Sequence, residues 1–451
     1  MQETILNKII INKLEWIKDR KKKEPFKNIK NKININTRNF YSVLKNKNPS
    51  FILECKKSSP SLGIIKENFN LIEISNVYKK YASAISVLTD EKYFHGNLKF
   101  INIVKNNVNQ PILCKDFFID PYQIYLARYY NADAILLMLS VLSNQQYIVL
   151  SGIAKKLNMG ILTEINNIEE LNRAIELNAS VIGINNRNLH DLSIDLNRTK
   201  ILAPLIKNKI IISESGIKKH SQIRELSKIV NGFLIGSTLM SKKNLEISTK
   251  SLIFGHNKVC GLTRTIDAQI SEKYGSIYGG LIFAENSLRK ITKKIAKNII
   301  LNSNLRYIGI FQNQDINTII DICNELSLYA IQLHGNENQK YIDFLNKKLP
   351  KSVKIWKAYS IQSTVPLLNL NYVNKYIFDS SSGGSNTIFN WSILKNQVLH
   401  DVILAGGINI KNCTLALKFN CAGLDLNSGV EVSPGIKDHN KIKLIFQKLK
   451  L

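Results

Sequence analysis

The sequence predicts an α/β protein made of two tandem (β/α)8 TIM barrels, the first preceded by a helical extension. Three observations predict this fold class. Short apolar runs alternate with longer mixed stretches, and eight such runs occur in each half. In both halves a glycine at the seventh run and a serine at the eighth are separated by the same number of residues. Continuous apolar strands that alternate with helices are typical of a parallel sheet. Open doubly wound sheets with fewer strands are the alternative.

The first half contains eight apolar runs that we predict to be strands. They lie at residues 51–56, 84–90, 112–117, 132–138, 160–165, 181–187, 210–216 and 232–237. Between them, stretches such as residues 166–178 carry apolar residues close to a helical stripe. Residues 1–47 precede the first strand, and the apolar face of residues 6–17 predicts that this segment forms additional helices.

The second half repeats this pattern. Its predicted strands lie at residues 258–263, 278–283, 305–311, 330–335, 354–359, 375–380, 401–407 and 422–428. Eight βα units are the number that closes such a barrel, and 451 residues suffice for two barrels. We therefore predict one barrel over residues 1–253 and another over 256–451, joined near residues 248–257.

The composition excludes several classes of protein. No apolar run reaches the roughly 18 residues of a membrane span, and the N-terminus lacks the pattern of a secretory signal. The six cysteines include no CxxC pair and the seven histidines are scattered, so we expect no metal site. Several cysteines lie within apolar runs, where a small buried hydrophobic residue is the simplest interpretation, and we expect a reducing, cytoplasmic compartment.

The net charge of +28 raises the hypothesis of nucleic-acid binding. The lysines are spread along the chain, however, and only residues 18–32 form a dense basic segment. A nucleic-acid-binding protein usually clusters its charge on one face. We therefore expect no nucleic-acid partner, and we keep a basic RNA-binding protein as an alternative.

Glycine and serine recur at the ends of the last two predicted strands of each half. Gly216 is followed by Ser237, and Gly407 by Ser428, with the same separation of 21 residues (237 − 216 and 428 − 407). The loops after strands seven and eight of (β/α)8 barrels often bind phosphate through backbone N–H groups. The repeated spacing predicts two phosphorylated ligands, with tight turns that need glycine as the alternative explanation.

Charged side chains stand at the carboxyl ends of the strands predicted in the first half. Active sites of (β/α)8 barrels lie at this end of the barrel. The charged residues are Glu54, Lys56, Lys115, Glu164, Arg187 and Glu214, and the uncharged Asn185 stands among them. Because alternate residues of a strand share a face, Glu54 and Lys56 point the same way and Cys55 the opposite way. Such a set supports acid–base chemistry on an anionic substrate, and Lys56 or Lys115 also permits a Schiff-base aldolase.

The motifs FILECKKSSPS, PILCKDF, LTEI, GINNRNL and ISESGI, in this order over residues 1–253, resemble indole-3-glycerol phosphate synthase. The resemblance implies that Lys115 is the general acid that protonates the substrate carbonyl and that Glu164 is the main catalytic carboxylate. It implies further that Lys56 binds the substrate carboxylate and takes part in acid–base steps, with Glu54 and Asn185 assisting dehydration. The other implied pocket and phosphate-binding residues are Ser59, Arg187, Glu214, Ser215, Gly216, Gly236 and Ser237. Asn188 departs from the aspartate usual in this family.

In the second half, Cys260 ends the first predicted strand and Asp379 ends the sixth. A buried structural thiol is one interpretation of Cys260, and a thiolate base is the other. The motifs KVCGLTR, QLHGNE, YIFDSSSGGS, LAGGI and LDLNSGVE resemble phosphoribosylanthranilate isomerase over about residues 256–451. The resemblance implies Cys260 as general base and Asp379 as general acid. The remaining implied site residues are Arg289 for the anthranilate carboxylate, His334 in the pocket, and Gly383, Gly384, Gly407 and Ser428 for phosphate.

The two resemblances support each other because the product of the isomerase family is the substrate of the synthase family. Together they imply a bifunctional enzyme of tryptophan biosynthesis that needs no cofactor and acts on phosphorylated small molecules. We expect a cytoplasmic monomer, since fusion removes an obvious need for association, with no membrane partner. The aldolase and the RNA-binding protein remain as the alternatives.

Overall fold

We describe the protein from a computed structural model over residues 4–35, 37–46, 48–188, 191–380 and 388–450. The chain divides into two compact units, Met1–Thr249 and Lys250–Leu451. Within the described ranges, no helix is both long enough and apolar enough to cross a membrane.

Eight parallel strands close a barrel in the first unit. In chain order its strands are β1 (Ser50–Cys55), β2 (Ser58–Ser59), β3 (Gly63–Ile64), β4 (Ala84–Leu88), β5 (Ile112–Lys115), β6 (Ala134–Met138), β7 (Gly160–Ile165), β8 (Val181–Asn185), β9 (Ile210–Glu214) and β10 (Gly232–Ile235). The barrel runs from β1 through β4 to β10, which pairs back with β1. The short strands β2 and β3 form a separate antiparallel hairpin just after β1.

Helices alternate with these strands. They are α1 (Ile5–Lys23), α2 (Phe26–Lys30), α3 (Leu71–Tyr81), α4 (Glu91–Phe94), α5 (Lys99–Asn107), α6 (Pro121–Tyr129), α7 (Asn144–Lys156), α8 (Ile168–Glu176), α9 (Asn197–Leu202), α10 (His220–Leu226), α11 (Ser237–Met240) and α12 (Leu245–Phe254). The extension α1 begins at Thr4, whose side chain accepts a hydrogen bond from the backbone N–H of Asn7, as helix N-caps do. Its apolar face brings Leu6 and Ile9 into the barrel core.

The second unit is also a closed barrel of eight parallel strands, β11 to β18 in sequential order. Its strands are β11 (Lys258–Val259), β12 (Tyr278–Ile282), β13 (Arg306–Phe311), β14 (Ala330–Leu333), β15 (Lys354–Ile361), β16 (Val373–Ser380), β17 (Val402–Leu404) and β18 (Gly423–Leu426), followed by the hairpin β19 (Glu431–Ser433) and β20 (Ile436–Lys437). Its helices are α13 (Thr265–Tyr274), α14 (Lys293–Leu301), α15 (Ile316–Glu325), α16 (Gln339–Lys348), α17 (Cys413–Leu417) and α18 (His439–Leu449).

The predicted fold class is confirmed, since two closed barrels with an N-terminal helical extension are observed. Each predicted strand overlaps an observed one, but several predicted strands run two or more residues too far. The first strand of the second barrel ends at Val259 rather than residue 263, so that Cys260 lies just beyond it. Polar residues that continue an apolar run here belong to the loop at the barrel mouth. The predicted domain limits, 1–253 and 256–451, stay a prediction.

Candidate active sites

The first barrel carries a charged layer directly above its apolar core. Ile52, Leu113, Leu162 and Ile212 all belong to the buried apolar cluster. Two residues further along each of these four strands stands a charged residue, and alternate residues of a strand share a face. The charged residues are Glu54, Lys115, Glu164 and Glu214. The sequence thus places four charged side chains at one level of the barrel mouth, as predicted from the strand ends.

Glu164 stands at the centre of this layer. Its Oε2 lies 3.5 Å from Nζ of Lys115, and its Oε1 accepts a hydrogen bond of 2.9 Å from Nδ2 of Asn185. Lys115 Nζ also lies 3.8 Å from Oε2 of Glu214. One ammonium group is therefore held between two buried carboxyl groups.

Glu54 and Lys56 form an ion pair of 2.5 Å at the edge of the same mouth. Cys55 between them is buried, in accord with the alternation predicted for this strand. Two glycines make room for the carboxylates, because a Cβ atom at Gly236 would lie 2.2 Å from Oε1 of Glu54 and one at Gly183 would lie 2.0 Å from Oε1 of Glu214. Gly236, which follows β10, and Gly183 in β8 therefore leave the space that these two carboxyl groups occupy.

Burial and neighbouring charges shift several pKa values in this mouth. Burial opposes the charge of Lys115, but Glu164, Glu214 and Glu54 outweigh it and raise the pKa of the ammonium group. Burial, and then the charge of Glu164, raises the pKa of Glu214 well above its usual range. Burial lowers the pKa of Arg187. Lys115 is thus a proton donor, and Glu214 is held as a neutral acid.

Two connected cavities share this charged layer, and each has a different lining. One has apolar walls, which are formed by Ile5, Leu6, Ile9, Leu88, Phe94, Phe117, Leu136, Met138 and Leu192, and Ser59 also lines it. The other is lined by Ser215, Gly216, Gly236 and Ser237. The residues that line both cavities are Glu54, Lys56, Ser61, Lys115, Arg187, Ser215 and Ser237. An elongated ligand with an aromatic end and an anionic end fits this division.

Sequence reasoning missed a buried charge cluster that anchors α1. Lys13 Nζ lies 2.7 Å from carboxylate oxygens of both Asp90 and Asp116. Thr89 donates a hydrogen bond of 2.6 Å to Asp116, which directly follows Lys115. A lysine on an otherwise apolar helix face is the only signal in the sequence, and its two partners are far away along the chain.

Cys260, His334 and Asp379 come together in the mouth of the second barrel. They line a cavity of about 430 Å³ together with Arg289, Gly407 and Ser428. Nε2 of His334 lies 3.6 Å from Oδ2 of Asp379. Cys260 packs with Ile282, Ala284 and Ile310 as a small apolar cluster at the cavity wall. The predicted phosphate ligands Gly383 and Gly384 lie outside the described residues.

Arg289 reaches the cavity but is already engaged. Its guanidinium group forms a two-pronged ion pair with Glu431, with hydrogen bonds of 2.9 Å from Nε and 2.7 Å from Nη2. Lys437 Nζ lies 2.7 Å from the same carboxylate, and Gly261 lets the arginine pass, since a Cβ there would lie 2.7 Å from its Cδ. The hairpin β19–β20 thus orients Arg289, a support that sequence reasoning missed.

A polar layer replaces the apolar one beneath the second mouth. Lys258 is fully buried, and its Nζ lies 2.7 Å from Oδ2 of Asp425 and 2.6 Å from Oε1 of Gln332. Gln332 in turn lies 3.2 Å from Nδ1 of His334. A chain of polar contacts therefore joins the strand that precedes Cys260 to the histidine beside Asp379.

The reactive groups of this second mouth have shifted pKa values of their own. Burial raises the pKa of Cys260 to about 11, with Lys258 opposing the rise. Burial raises the pKa of Asp379, which His334 partly offsets, and burial lowers the pKa of His334. At neutral pH the histidine is uncharged, and the carboxyl group keeps its proton to a higher pH than an exposed aspartate.

Comparisons with known proteins find relatives of both halves of the chain. Residues 6–252 match the family model of indole-3-glycerol phosphate synthase, and residues 257–448 that of N-(5'phosphoribosyl)anthranilate (PRA) isomerase. The chain is 72% identical over 449 residues to tryptophan biosynthesis protein TrpCF of Buchnera aphidicola subsp. Schizaphis graminum, with 100% of each covered. It is 51% identical to TrpCF of Salmonella typhi, with 99% of each covered. A solved phosphoribosyl anthranilate isomerase from Thermus thermophilus is 28% identical with a TM-score of 0.40, covering 43% of this chain and 98% of that one.

Proposed function

We propose how two active sites divide the chemistry of this chain, which belongs to the TrpCF family of bifunctional tryptophan-biosynthesis proteins. The C-terminal barrel isomerises N-(5-phosphoribosyl)anthranilate to 1-(2-carboxyphenylamino)-1-deoxyribulose 5-phosphate. The N-terminal barrel closes that product to indole-3-glycerol phosphate, with loss of CO2 and water. The predicted enzyme class is thereby confirmed, whereas the roles of individual residues are the proposal.

In the isomerase barrel, Asp379 is the general acid and Cys260 the general base. Asp379 donates a proton to the ribose ring oxygen, the ring C–O bond breaks, and the amine nitrogen forms an imine. The Cys260 thiolate then removes the proton from the neighbouring carbon, which yields an enolamine that tautomerises to the ketone. The raised pKa of Asp379 increases the fraction of this carboxyl group that holds a proton for the first step.

Substrate binding in the isomerase barrel uses the groups around this pair. Arg289 binds the anthranilate carboxylate while Glu431 holds its guanidinium plane. The apolar wall at Ile282 and Ile310 receives the aromatic ring. His334 lines the pocket, and Gly407 and Ser428, together with Gly383 and Gly384, hold the phosphate.

In the synthase barrel, the Lys115 ammonium group donates a proton to the substrate ketone. The ring carbon that bears the carboxylate attacks the carbonyl carbon, a C–C bond forms, and CO2 leaves with its electrons returning to the ring. Loss of the new hydroxyl group as water completes the indole. Glu164 is the main catalytic carboxylate, and Lys56, Glu54 and Asn185 assist the dehydration.

The two cavities of the synthase mouth orient the substrate across these groups. The aromatic ring lies in the apolar cavity, the carboxylate near Lys56 and Arg187, and the phosphate at Ser215, Gly216, Gly236 and Ser237, with Ser59 nearby. One observation carries the proposal: Lys115 is held between Glu164 and Glu214 where both cavities meet. A protonated lysine at that point meets the substrate carbonyl between its aromatic and phosphate ends.

The raised pKa of Lys115 argues against a Schiff-base aldolase, because an amine must lose its proton to attack a carbonyl. Lys56, the other candidate, is held by Glu54 in an ion pair. Borohydride treatment in the presence of a sugar phosphate should trap no covalent adduct at either lysine. A trapped adduct on an intact protein would restore the aldolase hypothesis.

Two variants, each assayed for both reactions, test whether the two reactions use separate active sites. Lys115→Ala should lower ring closure by about 10²–10⁴-fold, the contribution of a general acid, and leave isomerase activity within twofold. Cys260→Ala should do the reverse. Cys55→Ala, a buried cysteine on the first strand of the other barrel, is the matched control and should affect neither reaction. Loss of both activities from either single variant with an unchanged circular dichroism spectrum would contradict two separate sites.

We further propose that the chain acts as a cytoplasmic monomer that binds no nucleic acid, with barrels bounded at residues 253 and 256. Size-exclusion chromatography with light scattering tests the monomer, and filter binding to RNA at two salt concentrations tests the nucleic-acid prediction. Salt-sensitive RNA binding that survives Lys115→Ala would support the alternative of a basic RNA-binding protein.

A further inference from the structure

Lys258 is a fully buried cation that the isomerase mechanism does not use. Its side chain is 0% exposed and that of its partner Asp425 is 7% exposed. Besides the 2.7 Å ion pair, Nζ donates a 2.6 Å hydrogen bond to Gln332. Burying an ion pair is costly, and replacing one by apolar residues is often neutral or stabilising. The stability of the fold therefore does not by itself explain this pair, and a neighbouring residue can.

The residue beside it is Cys260, which follows Lys258 by two positions and shares its face of the chain. Gly280 on the neighbouring strand marks the meeting point. A Cβ atom there would lie 2.7 Å from the sulfur of Cys260 and 2.9 Å from Cε of Lys258. The sulfur and the end of the lysine side chain thus share the space that this glycine leaves open, at the wall of the cavity.

We propose that the buried Lys258–Asp425 pair is a positioning device that sets the charge of Cys260, with Lys258 favouring the thiolate and Asp425 limiting that effect. The inference rests on the proposed role of Cys260 as general base. A thiolate that removes a proton from carbon must be formed inside an apolar wall, and a fixed cation beneath it stabilises that charge without a solvent shell.

Other charged side chains also act on Cys260, but they are paired with a carboxylate of their own. Lys437 from β20 and Arg289 from the loop after β12 both pair with Glu431, which offsets much of their field. Among the side chains that act on the thiol, Lys258 has the largest lowering effect on its pKa, followed in size by the opposing effect of Asp425. His334 and Asp379 line the same cavity, and the histidine is neutral.

The test measures the charge of Cys260 on the resting full-length protein. Iodoacetamide alkylates the thiolate, and mass spectrometry of the Cys260 peptide gives its rate separately from the five other cysteines. Removing an opposite charge at this range raises a pKa by about one to three units. About half of the rate loss is offset because a more basic thiolate is more nucleophilic. Lys258→Met should therefore slow alkylation at pH 8 by roughly 3–30-fold.

Asp425→Asn should change the rate in the opposite direction. It keeps the shape of the side chain but leaves Lys258 without its counter-charge, so alkylation of Cys260 should become severalfold faster. Lys357→Met is the matched control, since Lys357 forms a buried ion pair of 2.8 Å with Glu337 in the same barrel. It should leave the alkylation rate of Cys260 unchanged.

Opposite shifts from the two partners support the proposal, because a merely structural pair would not produce opposite signs. An unchanged rate, or shifts of the same sign, would overturn it. If Lys258→Met does not fold, as judged by circular dichroism, Asp425→Asn decides alone, and a rate that does not rise overturns the proposal. Failure here is distinct from failure of the proposed function, which the isomerase activity of Cys260→Ala tests separately.

Discussion

The two barrels share one architecture and place their charges at different depths. In the first, the layer beneath the mouth is apolar, and the charged Lys115 and Glu164 stand directly in the mouth with the neutral Glu214. In the second, Lys258 is buried beneath the mouth and pairs with Asp425, which lines the cavity. The comparison teaches that a barrel can offer its charges directly to a substrate or use them to tune a weaker acid or base. The fold determines neither choice.

The first strand of each barrel shows how a shift of one residue decides between these roles. In β1, Glu54 faces the mouth and Cys55 is buried with a raised pKa caused by burial. In the second barrel Cys260 itself faces the cavity, two residues after Lys258. Because side chains alternate between faces, Cys55 packs away from the mouth in β1, whereas Cys260, just after β11, faces the cavity as a reactive group.

The largest expected effect contrasts two buried carboxyl groups of the first mouth. Glu164→Gln should lower ring closure by about 10²-fold or more, because it removes the charge that pairs with Lys115. Glu214→Gln should cost less than about tenfold, since the raised pKa of Glu214 already keeps its carboxyl group neutral and an amide preserves its shape. Steady-state kinetics of indole-3-glycerol phosphate formation would measure both.

Isomerase activity of the same two variants is the internal control and should not change. Equal losses from both substitutions would contradict the assignment of Glu214 as a neutral acid. Equal losses would also mean that ring closure depends on both carboxyl groups of the first mouth rather than on Glu164 alone.

The second expected effect concerns the pH dependence of the isomerase. Cys260 must be ionised, with a pKa of about 11, and Asp379 must be protonated, with a raised pKa. At pH values above the pKa of Asp379 and below that of Cys260, each pH unit ionises about ten times more thiol and leaves about ten times less acid, so kcat/KM should stay level there. In Asp379→Asn the acid no longer titrates. The residual activity should then rise by up to tenfold per unit between about pH 7 and 9.

The synthase activity of Asp379→Asn serves as the reference, with the same pH profile as the unsubstituted chain. Measurement of kcat/KM for both reactions across this range checks the prediction. A level isomerase profile in the variant would mean that no thiol titrates as the base, and that the second mouth does not rely on an ionised Cys260.

The fold and the residues of both mouths could be predicted from the sequence. The residues that hold those side chains in place could not. Lys115 and Glu164 could be predicted because strand alternation and the carboxyl-end rule are local properties. Asp425 and Glu431 could not, because their partners Lys258 and Arg289 lie more than a hundred residues away, and only closure of the barrel brings them together. The place of Ile5 and Ile9 in the apolar cavity likewise depends on how α1 packs.

The smallest expected effect concerns Asn188, in the loop after β8. This loop is held by its backbone, since the N–H of Asn188 donates to Ser193 at 2.9 Å and the N–H of Leu192 donates to Asn188 at 2.8 Å. Asn188→Asp restores the residue usual in the family and should change ring closure by less than about threefold, as expected for a half-exposed position. Asn185→Asp is the matched control, because Asn185 donates its amide to Glu164 and an added carboxylate there should cost at least tenfold. Ring-closure kinetics would distinguish the two, and a large loss from Asn188→Asp alone would show that this side chain, rather than the backbone, positions Arg187 in the mouth.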